Sequence, residues 1–434
     1  MKNENHSENN GSLENCREPG KGQQPENIRK NVIWNTAGTL VYCLAQWITT
    51  VLVVHLSGYE AAGYLSLAMT TSSTFSVICL FSMRDFQVSD VRGEFAPSVY
   101  TGSRIITCSA AVVACLIASL GNASRYQIFC INAFMLIRVA EGIVDVLYGE
   151  DQKLNRYDLI GKSFVFRGLG LVASFVGGMA AFGDLLTAIL LMAASSLLIA
   201  FFFDCRKTAA LEELRPAPRS PEVRKLLLRC APLVVYSFLL SAQNLTAKSE
   251  LQRILGTEQL GIYASLASPT LVVQIFASVV FAPFLPGISR MIEAGRFHAL
   301  RKNLRKIYGF FFLLAAVIQG GAMLLGRWGL RLLYGESILN HYELFYPIVW
   351  CTILTGCIYV LSSVLIALRQ IRFLFWGMIA DYLLCRLLAT PCIERFGMNG
   401  ASIIQILCFA LFVVYSVIVC EGTVAFRGRR ESVF

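Results

Sequence analysis

Charged residues are scarce in this sequence. They make up 15% of its 434 residues, whereas an ordinary soluble domain carries roughly a quarter. Hydrophobic residues make up 56% and form runs of about twenty, the length that a helix needs to cross a hydrocarbon layer roughly 30 Å thick. The shortage of charge excludes an ordinary soluble α/β enzyme and predicts an all-α integral membrane protein.

The sequence also lacks the patterns of a metal or cofactor site. The four histidines lie near the start of the chain or at the ends of apolar runs, and the fourteen cysteines include no C-x-x-C pair. Most cysteines lie inside apolar runs, where they pack as small residues. A phosphate-binding loop of the G-x-x-x-x-G-K-[ST] type is missing too. We therefore expect no metal and no cofactor.

Twelve apolar segments follow a polar start that has no secretory signal. We predict spans at 31–56, 62–82, 99–120, 126–148, 161–182, 185–203, 231–252, 261–283, 307–326, 343–366, 373–391 and 399–420. Of the 38 lysines and arginines, 28 lie on the side of the N-terminus and 5 in the opposite loops. Because cytoplasmic loops carry the positive excess, we expect both termini in the cytoplasm.

The longest inner loop divides the spans six and six. We predict a disordered tail at 1–30, an N-terminal lobe at 31–203, a linker at 204–230, a C-terminal lobe at 231–420 and a second tail at 421–434. A short repeat supports this division, since GYEAAGY at 58–64 recurs as GTEQLGIY at 256–263, displaced by 198 residues. Two halves with even numbers of spans are parallel repeats, and the natural binding site is the cleft between them.

Polar side chains follow one face of spans 1 and 7, at the spacing of an α-helix. They are Asn35, Thr39, Tyr42, Gln46 and Thr49 in span 1, and Ser237, Ser241, Asn244 and Lys248 in span 7. The 198-residue offset makes Thr50 of span 1 the repeat equivalent of Lys248 in span 7. These faces line a cavity or bond to neighbouring helices. Lys248 favours the cavity, because an ammonium needs a partner or water.

Span 4 carries three charged residues on one face, Arg138, Glu141 and Asp145. A charge at mid-membrane costs at least about 2.5 kcal/mol. One interpretation is an Arg138–Glu141 pair that locks the helix. The other is that Arg138 binds an anionic substrate while the carboxylates bind or relay a coupling cation. The charges of Arg138, Glu141 and Asp145 add up to −1, which predicts an extra cation, another basic helix or a bound proton.

Four further features have two interpretations each. Arg84 is an interfacial anchor or a first phosphate contact, and Arg167 completes a basic inner vestibule or extends to the interface. Asp381 and Arg386 are five residues apart, so we expect their partners on other helices, in a structural bridge or at an ion site. The basic segment 289–307 suits anionic headgroups. Because basic residues are spread over short loops, we expect no nucleic-acid partner.

The chain resembles the polysaccharide-exporter branch of the multidrug/oligosaccharidyl-lipid/polysaccharide (MOP) superfamily, the Wzx-type flippases of O-antigen and capsule repeat units. The resemblance rests on KNVIWNTAG at 30–38, the turn at 58–64, MRDFQVSD at 83–90 and the six-plus-six plan, and it covers residues 30 to about 425. It implies two parallel six-helix lobes of the kind found in multidrug (MATE-like) exporters.

The resemblance also implies alternating access that moves undecaprenyl-diphosphate-linked oligosaccharides to the outer leaflet of a bacterial cell membrane, coupled to H⁺ or Na⁺. By depth and charge, we place Arg84, Arg138, Arg167, Lys248, Gln46 and Asn244 at the diphosphate and sugar, and Glu141, Asp145 and Asp381 at the coupling ion. The implied partners are the lipid-linked substrate, the coupling cation and membrane lipids, and could include other membrane proteins of polysaccharide assembly.

Two alternatives stay open. Related multidrug exporters usually carry an acidic residue in span 1, where this chain has Gln46 and no acid. A membrane-embedded polysaccharide polymerase or ligase needs a sizeable outer loop, and the longest one here covers only 327–342. Both observations favour a transporter of lipid-linked sugars over an exporter of cations and over an enzyme.

Overall fold

The computed structural model describes residues 25–90, 93–121, 123–210, 215–281 and 284–431. Throughout these ranges the chain is helical apart from short turns, and it contains no strand. The first half comprises α1 (Pro25–Leu80), α2 (Met83–Ser89), α3 (Pro97–Leu120), α4 (Arg125–Lys153), α5 (Tyr157–Phe182), α6 (Leu185–Ile199), a π-helical segment (Ala200–Cys205) and α7 (Arg206–Ala209). The all-α prediction is confirmed.

The second half has the same plan. It comprises α8 (Pro221–Leu255), α9 (Thr257–Phe281), α10 (Phe284–Glu293), α11 (Phe297–Tyr334), a 3₁₀ segment (Ser337–Leu344), α12 (Phe345–Ala367), α13 (Ile371–Phe396) and α14 (Met398–Glu431). Nine described helices are long and apolar enough to cross a membrane. The other three predicted spans correspond to the second part of α1, to the charged helix α4 and to α9, so each of the twelve has a helix.

Several helices extend beyond the predicted spans. Helix α1 already begins at Pro25, α8 begins at Pro221 inside the predicted linker, and α14 continues to Glu431. Hydropathy marks only the part of a helix that contacts lipid, whereas hydrogen bonding continues into polar sequence at either end. Of the predicted tails and linker, residues 1–24, 211–214 and 432–434 lie outside the described residues.

The two copies of the internal repeat form matching turns. Gly58 has φ 78° and ψ −174°, and Gly256 has φ 95° and ψ 169°, a backbone conformation that favours glycine. A Cβ on Gly63 would collide with the carbonyl oxygen of Thr257, and a Cβ on Gly261 would collide with that of Tyr59. Tyr59 and Thr257 are themselves 198 residues apart. The turns therefore cross reciprocally, as a pseudo-two-fold axis requires.

Each lobe has its own apolar core, and the lobes also pack against each other at both ends of the bundle. At the end of the bundle where the repeat turns lie, Leu67 of α1 packs in one apolar cluster with Leu251 and Leu260 of the C-terminal lobe. At the opposite end, Leu226 at the start of α8 packs with Tyr100 of the N-terminal lobe. Between these two contacts the lobes enclose a polar space.

Candidate functional site

A cavity of about 610 Å³ lies between the two lobes. Its polar lining consists of Gln46, Thr50, Ser66, Thr70, Ser73, Thr74, Arg138, Ser241, Asn244, Lys248, Tyr263, Ser265, Ser268, Thr270, Thr352, Thr355 and Gln405. Hydroxyl and amide groups dominate, and the described lining residues include two cations and no acidic side chain. Such a surface suits an anionic or a neutral, hydroxyl-rich molecule better than a cation.

The two cations of the cavity differ in their partners. Arg138 donates to Glu141 over 2.7 Å and to Ser73 over 2.9 Å, so that its charge is matched by a carboxylate. Lys248 donates to the hydroxyls of Thr70 and Ser66 over 3.0 and 3.3 Å, and among the described residues no carboxylate lies within ion-pair distance of it. Lys248 therefore supplies the net positive charge of the cavity.

Helix α8 places three of the four residues of its predicted polar stripe in the cavity wall, whereas Ser237 is not among the lining residues. Ser241, Asn244 and Lys248 all line the cavity. Asn244 is held in place by Gln405 of α14, whose amide nitrogen donates to the Asn244 oxygen over 3.0 Å. The spacing of three and four residues keeps these side chains on one helix face.

The polar stripe of α1 is divided between two environments. Gln46 and Thr50 line the cavity, whereas Tyr42 and Thr49 are buried inside the N-terminal lobe. Thr49 donates back to its own helix at the carbonyl of Ala45 over 2.9 Å. The two predicted alternatives, a cavity face or hydrogen bonds to neighbouring helices, thus each apply to part of the α1 stripe, since Gln46 lines the cavity and Tyr42 bonds to Glu141 of α4.

The excess negative charge of α4 is matched by another basic helix. Arg104 of α3, only 3% exposed, forms an ion pair with Asp145 and donates to the carbonyls of Cys79, over 2.6 Å, and Leu80. Arg84 lies 3.9 Å from the same carboxylate. Arg104 was not among the candidate residues drawn from the sequence. Its depth in an apolar run was the feature that could have revealed it.

Glu141 lies inside the N-terminal lobe and is not among the cavity-lining residues. It accepts hydrogen bonds from Arg138 and from the Tyr42 hydroxyl. Glu141 and Asp145 thus both have cationic partners within the lobe. This arrangement favours a structural role over the binding of a coupling ion for Glu141 and Asp145.

Arg84 contacts α4 and does not line the cavity. It donates to Gln152 over 3.1 Å and lies over the ring of Tyr148 at 5.4 Å. It belongs to α2, which packs on α4 through the fully buried Gln87, whose amide nitrogen donates to Glu150 over 2.6 Å. The motif at 83–90 is therefore a docking element of the N-terminal lobe.

The loop after α2 is held by Asp90, which accepts the backbone amides of Glu94 and Phe95 over 2.8 and 3.0 Å and the Tyr100 hydroxyl over 3.1 Å. Partial burial opposes ionisation, but the hydrogen bonds outweigh it and hold the pKa of Asp90 below its ordinary value. Asp90 thus stabilises the turn into α3.

Arg167 lies in the interior of the N-terminal lobe. Its side chain is 2% exposed, and its guanidinium lies 5.5 Å from the ring centre of Tyr42. It neither lines the cavity nor extends to the membrane surface, so the structure supports neither interpretation made from the sequence. The electron-rich faces of aromatic rings offset part of the desolvation of a buried guanidinium.

Asp381 and Arg386 of α13 have separate partners on α8, as their spacing predicted. Arg386 donates to Glu250 over 2.6 Å. Asp381, which is buried, accepts from the amide nitrogen of Gln243 over 2.7 Å. Among the described residues no cation lies within ion-pair distance of Asp381, in contrast to Glu141 and Asp145.

Comparisons with known proteins agree with this architecture. No protein-family model matches the chain. It is 23% identical over 318 residues to the capsular polysaccharide biosynthesis protein CapF of Staphylococcus aureus. The aligned region covers 71% of this chain and 78% of CapF.

Two solved structures show the fold. The lipid II flippase MurJ in an inward closed conformation aligns with a TM-score of 0.68 and 14% identity over 92% of this chain and 91% of its own. A multidrug-resistance MATE transporter of the MOP superfamily in an inward-facing conformation aligns with a TM-score of 0.65 and 11% identity over 91% and 98%. At these identities the two likenesses show the fold. The chain is therefore a multi-pass α-helical membrane protein with the fold of these two structures, and it is similar to a capsular polysaccharide biosynthesis protein, which agrees with the resemblance inferred from the sequence.

Proposed function

We propose that this protein moves undecaprenyl-diphosphate-linked oligosaccharide repeat units from the inner to the outer leaflet of a bacterial cell membrane, for the assembly of a surface polysaccharide. Both termini lie in the cytoplasm, and the two lobes alternate in opening the central cavity to either side. The inward movement of a coupling ion, H⁺ or Na⁺, drives the cycle. The likeness to CapF supports the link to polysaccharide.

The unmatched charge of Lys248 carries this proposal. The described lining of the cavity holds two cations and no acid, and only Arg138 has a carboxylate partner. When a diphosphate binds, its oxygens would replace the Thr70 and Ser66 hydroxyls as the acceptors of the hydrogen bonds from the Lys248 ammonium. Phosphate oxygens are stronger acceptors than hydroxyls. A cation-coupled multidrug exporter would need an acid to receive its cationic cargo, so the lining argues against that alternative.

The rest of the lining suits a sugar. Hydroxyl and amide side chains such as Gln46, Asn244 and Thr352 can each donate and accept. Their hydrogen bonds to sugar hydroxyls replace those that the sugar loses to water, so each contributes little net free energy. Many weak contacts of this kind tolerate variation in the sugar, while the diphosphate is the constant part of the cargo.

Asp381 is the coupling-ion residue best supported by the contacts. Glu141 and Asp145 are each paired with arginine, whereas Asp381 has the neutral Gln243 as its described partner. A buried carboxylate without a cation attracts a proton or a metal cation. Its position on α13, facing α8, would link ion binding to the helix that carries Lys248.

The test is genetic complementation with chemical analysis of lipids. In the native host, deletion of the gene should cause unpolymerised polyprenyl-linked oligosaccharides to accumulate in the inner leaflet, and a wild-type copy should clear them. Copies with Arg138→Ala or Lys248→Gln should fail, at equal protein levels in the membrane. Lys162→Gln is the matched control, because Lys162 pairs with Asp158 away from the cavity.

Two results would contradict the proposal. If the deletion strain accumulates no lipid-linked sugar but becomes sensitive to cationic drugs, the multidrug interpretation replaces it. If Lys248→Gln clears the intermediates as well as Lys162→Gln does, the cavity charge has no part in transport.

A further inference from the structure

A π-helical segment interrupts the last membrane helix of the N-terminal lobe. The α-helical hydrogen bonding of α6 ends at Ile199, and residues Ala200–Cys205 continue as a π-helix. Such wide turns are rare, and those that do occur are often found at functional sites. Here the segment carries Asp204, whose side chain is buried. The wide turn thus directs a carboxyl group into the lobe at the end predicted to face the cytoplasm.

Asp204 has a second buried carboxyl as a neighbour. Asp151 of α4 accepts from the Thr208 hydroxyl over 3.2 and 3.4 Å and interacts electrostatically with Asp204. The Oδ2 atom of Asp204 has no hydrogen-bond partner among the described residues, and Ser163 is its neutral partner. No lysine or arginine lies within ion-pair distance of either carboxyl in the described part of the chain. Both groups are 4% exposed or less.

Arg167 is an independent sign that this site is incomplete. Its Nε and Nη2 atoms are buried and have no hydrogen-bond partner among the described residues. Its guanidinium interacts with Asp204 and with the hydroxyl of Tyr148. The titratable and charged groups that face the two carboxyls are Tyr148 of α4, Arg167 of α5, and Arg156 and Asp158 at the start of α5. Two buried carboxylates and one buried guanidinium leave a net charge of −1, which one proton would neutralise.

Buried polar side chains connect this site with the central cavity. The Tyr148 hydroxyl donates to Ser163 over 2.6 Å. On the other side of Arg167, the Tyr42 hydroxyl donates to Glu141, and Glu141 is the partner of the cavity residue Arg138. The row thus runs from Asp204 through Arg167 to the cavity wall.

We propose that Asp151 and Asp204 together bind one exchangeable proton and form a proton-binding site in the N-terminal lobe, separate from Asp381 in the other lobe. When the proton leaves, the Asp204 carboxylate attracts the Arg167 guanidinium away from the Tyr42 ring. Tyr42 holds Glu141, so the change reaches Arg138 at the cavity. The use of this proton in transport rests on the function proposed above, whereas the binding of the proton does not.

Infrared difference spectroscopy of the purified full-length protein tests the site directly. As the pH is raised from mildly acidic to mildly alkaline values, the wild type should lose the C=O stretching band of a protonated carboxyl group. Asp204→Asn and Asp151→Asn should each abolish this titrating band or shift its midpoint by at least one pH unit. Asparagine has the shape of a protonated aspartate, so both variants should fold, and their thermal melting is measured first.

Glu94→Gln is the matched control, because Glu94 forms an exposed ion pair with Arg229 and is not among the groups that face Asp151 and Asp204. It should leave the band unchanged. Absence of a titrating carboxyl band in the wild type would overturn the proposal. So would a band that survives unaltered in both variants or one that Glu94→Gln removes. Tyr148→Phe provides a second readout, since loss of its bond to Ser163 should shift the midpoint and keep the band.

The outcome is separable from that of the proposed function. A titrating band that depends on Asp151 and Asp204, in a protein that moves no lipid-linked sugar, would refute only the function. Transport without such a band would refute only the proton site.

Discussion

Lys248 of the C-terminal lobe donates a hydrogen bond to Thr70 of the N-terminal lobe over 3.0 Å, across the cavity that separates them. The residue at the equivalent position of the first repeat is Thr50, which carries no charge. The two-fold relation of the lobes is therefore broken at this point, and one ammonium holds hydroxyls of the opposite lobe. An anionic ligand that captures the ammonium would weaken a contact between the lobes.

Replacement of Lys248 by glutamine should weaken the binding of a polyprenyl diphosphate to the purified protein by tenfold or more. A hydrogen bond to a charged group contributes about 1.5–3 kcal/mol, and glutamine retains the donor without the charge. Fluorescence titration with a labelled short-chain polyprenyl diphosphate measures the affinity. Lys162→Gln should bind like the wild type, and equal affinity for both variants would contradict the role of Lys248.

Alanine at Gly63 or Gly261 should open the end of the bundle where the repeat turns cross. The added methyl group would collide with the backbone of Thr257 or Tyr59, which cannot move as a side chain can. A Ser66→Cys reporter should then react faster with a membrane-impermeant thiol reagent added from outside. Gly177→Ala is the control, because a Cβ at Gly177 meets no atom within 4 Å. Unchanged reactivity would show that the crossing does not close the cavity.

Arg138 and Glu141 should behave as a coupled pair in stability measurements. Arg138→Gln alone leaves a buried carboxylate without its cation and should lower the free energy of unfolding by about 2 kcal/mol. The double variant Arg138→Gln, Glu141→Gln should recover most of this loss. Denaturation of the detergent-solubilised proteins completes the double-mutant cycle. Additive losses would indicate that the 2.7 Å contact contributes nothing.

Asp381→Asn and Asp145→Asn should have different consequences. Asp145 is the carboxylate partner of the buried Arg104, so its loss should lower the melting temperature. Asp381 accepts from a neutral amide, so its loss should leave the fold stable and abolish the dependence of transport on the ion gradient. Transport into proteoliposomes with and without a gradient separates the two effects. Gradient dependence that persists in Asp381→Asn would exclude Asp381 as the coupling residue.

Asp90 should make the thermal stability of the protein depend on pH in the acidic range. Its pKa is lower in the folded protein than in the unfolded chain, so its contribution is present above the unfolded pKa and disappears as the pH falls through the folded pKa. The wild type should thus melt at a higher temperature than Asp90→Asn at neutral pH, and this difference should vanish in acid. A difference that stays constant with pH would show that the amide contacts of Asp90 do not depend on its charge.

Helical spacing predicted some cavity residues correctly but did not separate them from residues in the interior of the N-terminal lobe. Helical spacing placed Ser237, Ser241, Asn244 and Lys248 on one face, and the structure has the last three in the cavity lining. The same spacing could not separate Gln46 from Tyr42, because a stripe on a helical wheel has no mark where one packing neighbour ends and the next begins. Arg84 and Arg167 were placed by charge and depth alone, and both proved to face α4 or the lobe interior.

By itself, the sequence determined the membrane class, the twelve helices, the repeat and the superfamily resemblance, because these follow from local hydropathy and from identities along the chain. Tertiary structure decided which charges are matched. Arg104 reaches Asp145 from another helix, and Gln243 reaches Asp381 from 138 residues away. Within the described part of the chain, Lys248 has hydroxyl partners and no carboxylate. The electrostatic energy of a charge in a membrane depends on which atoms lie within a few ångströms, and only the packing of distant helices sets those distances.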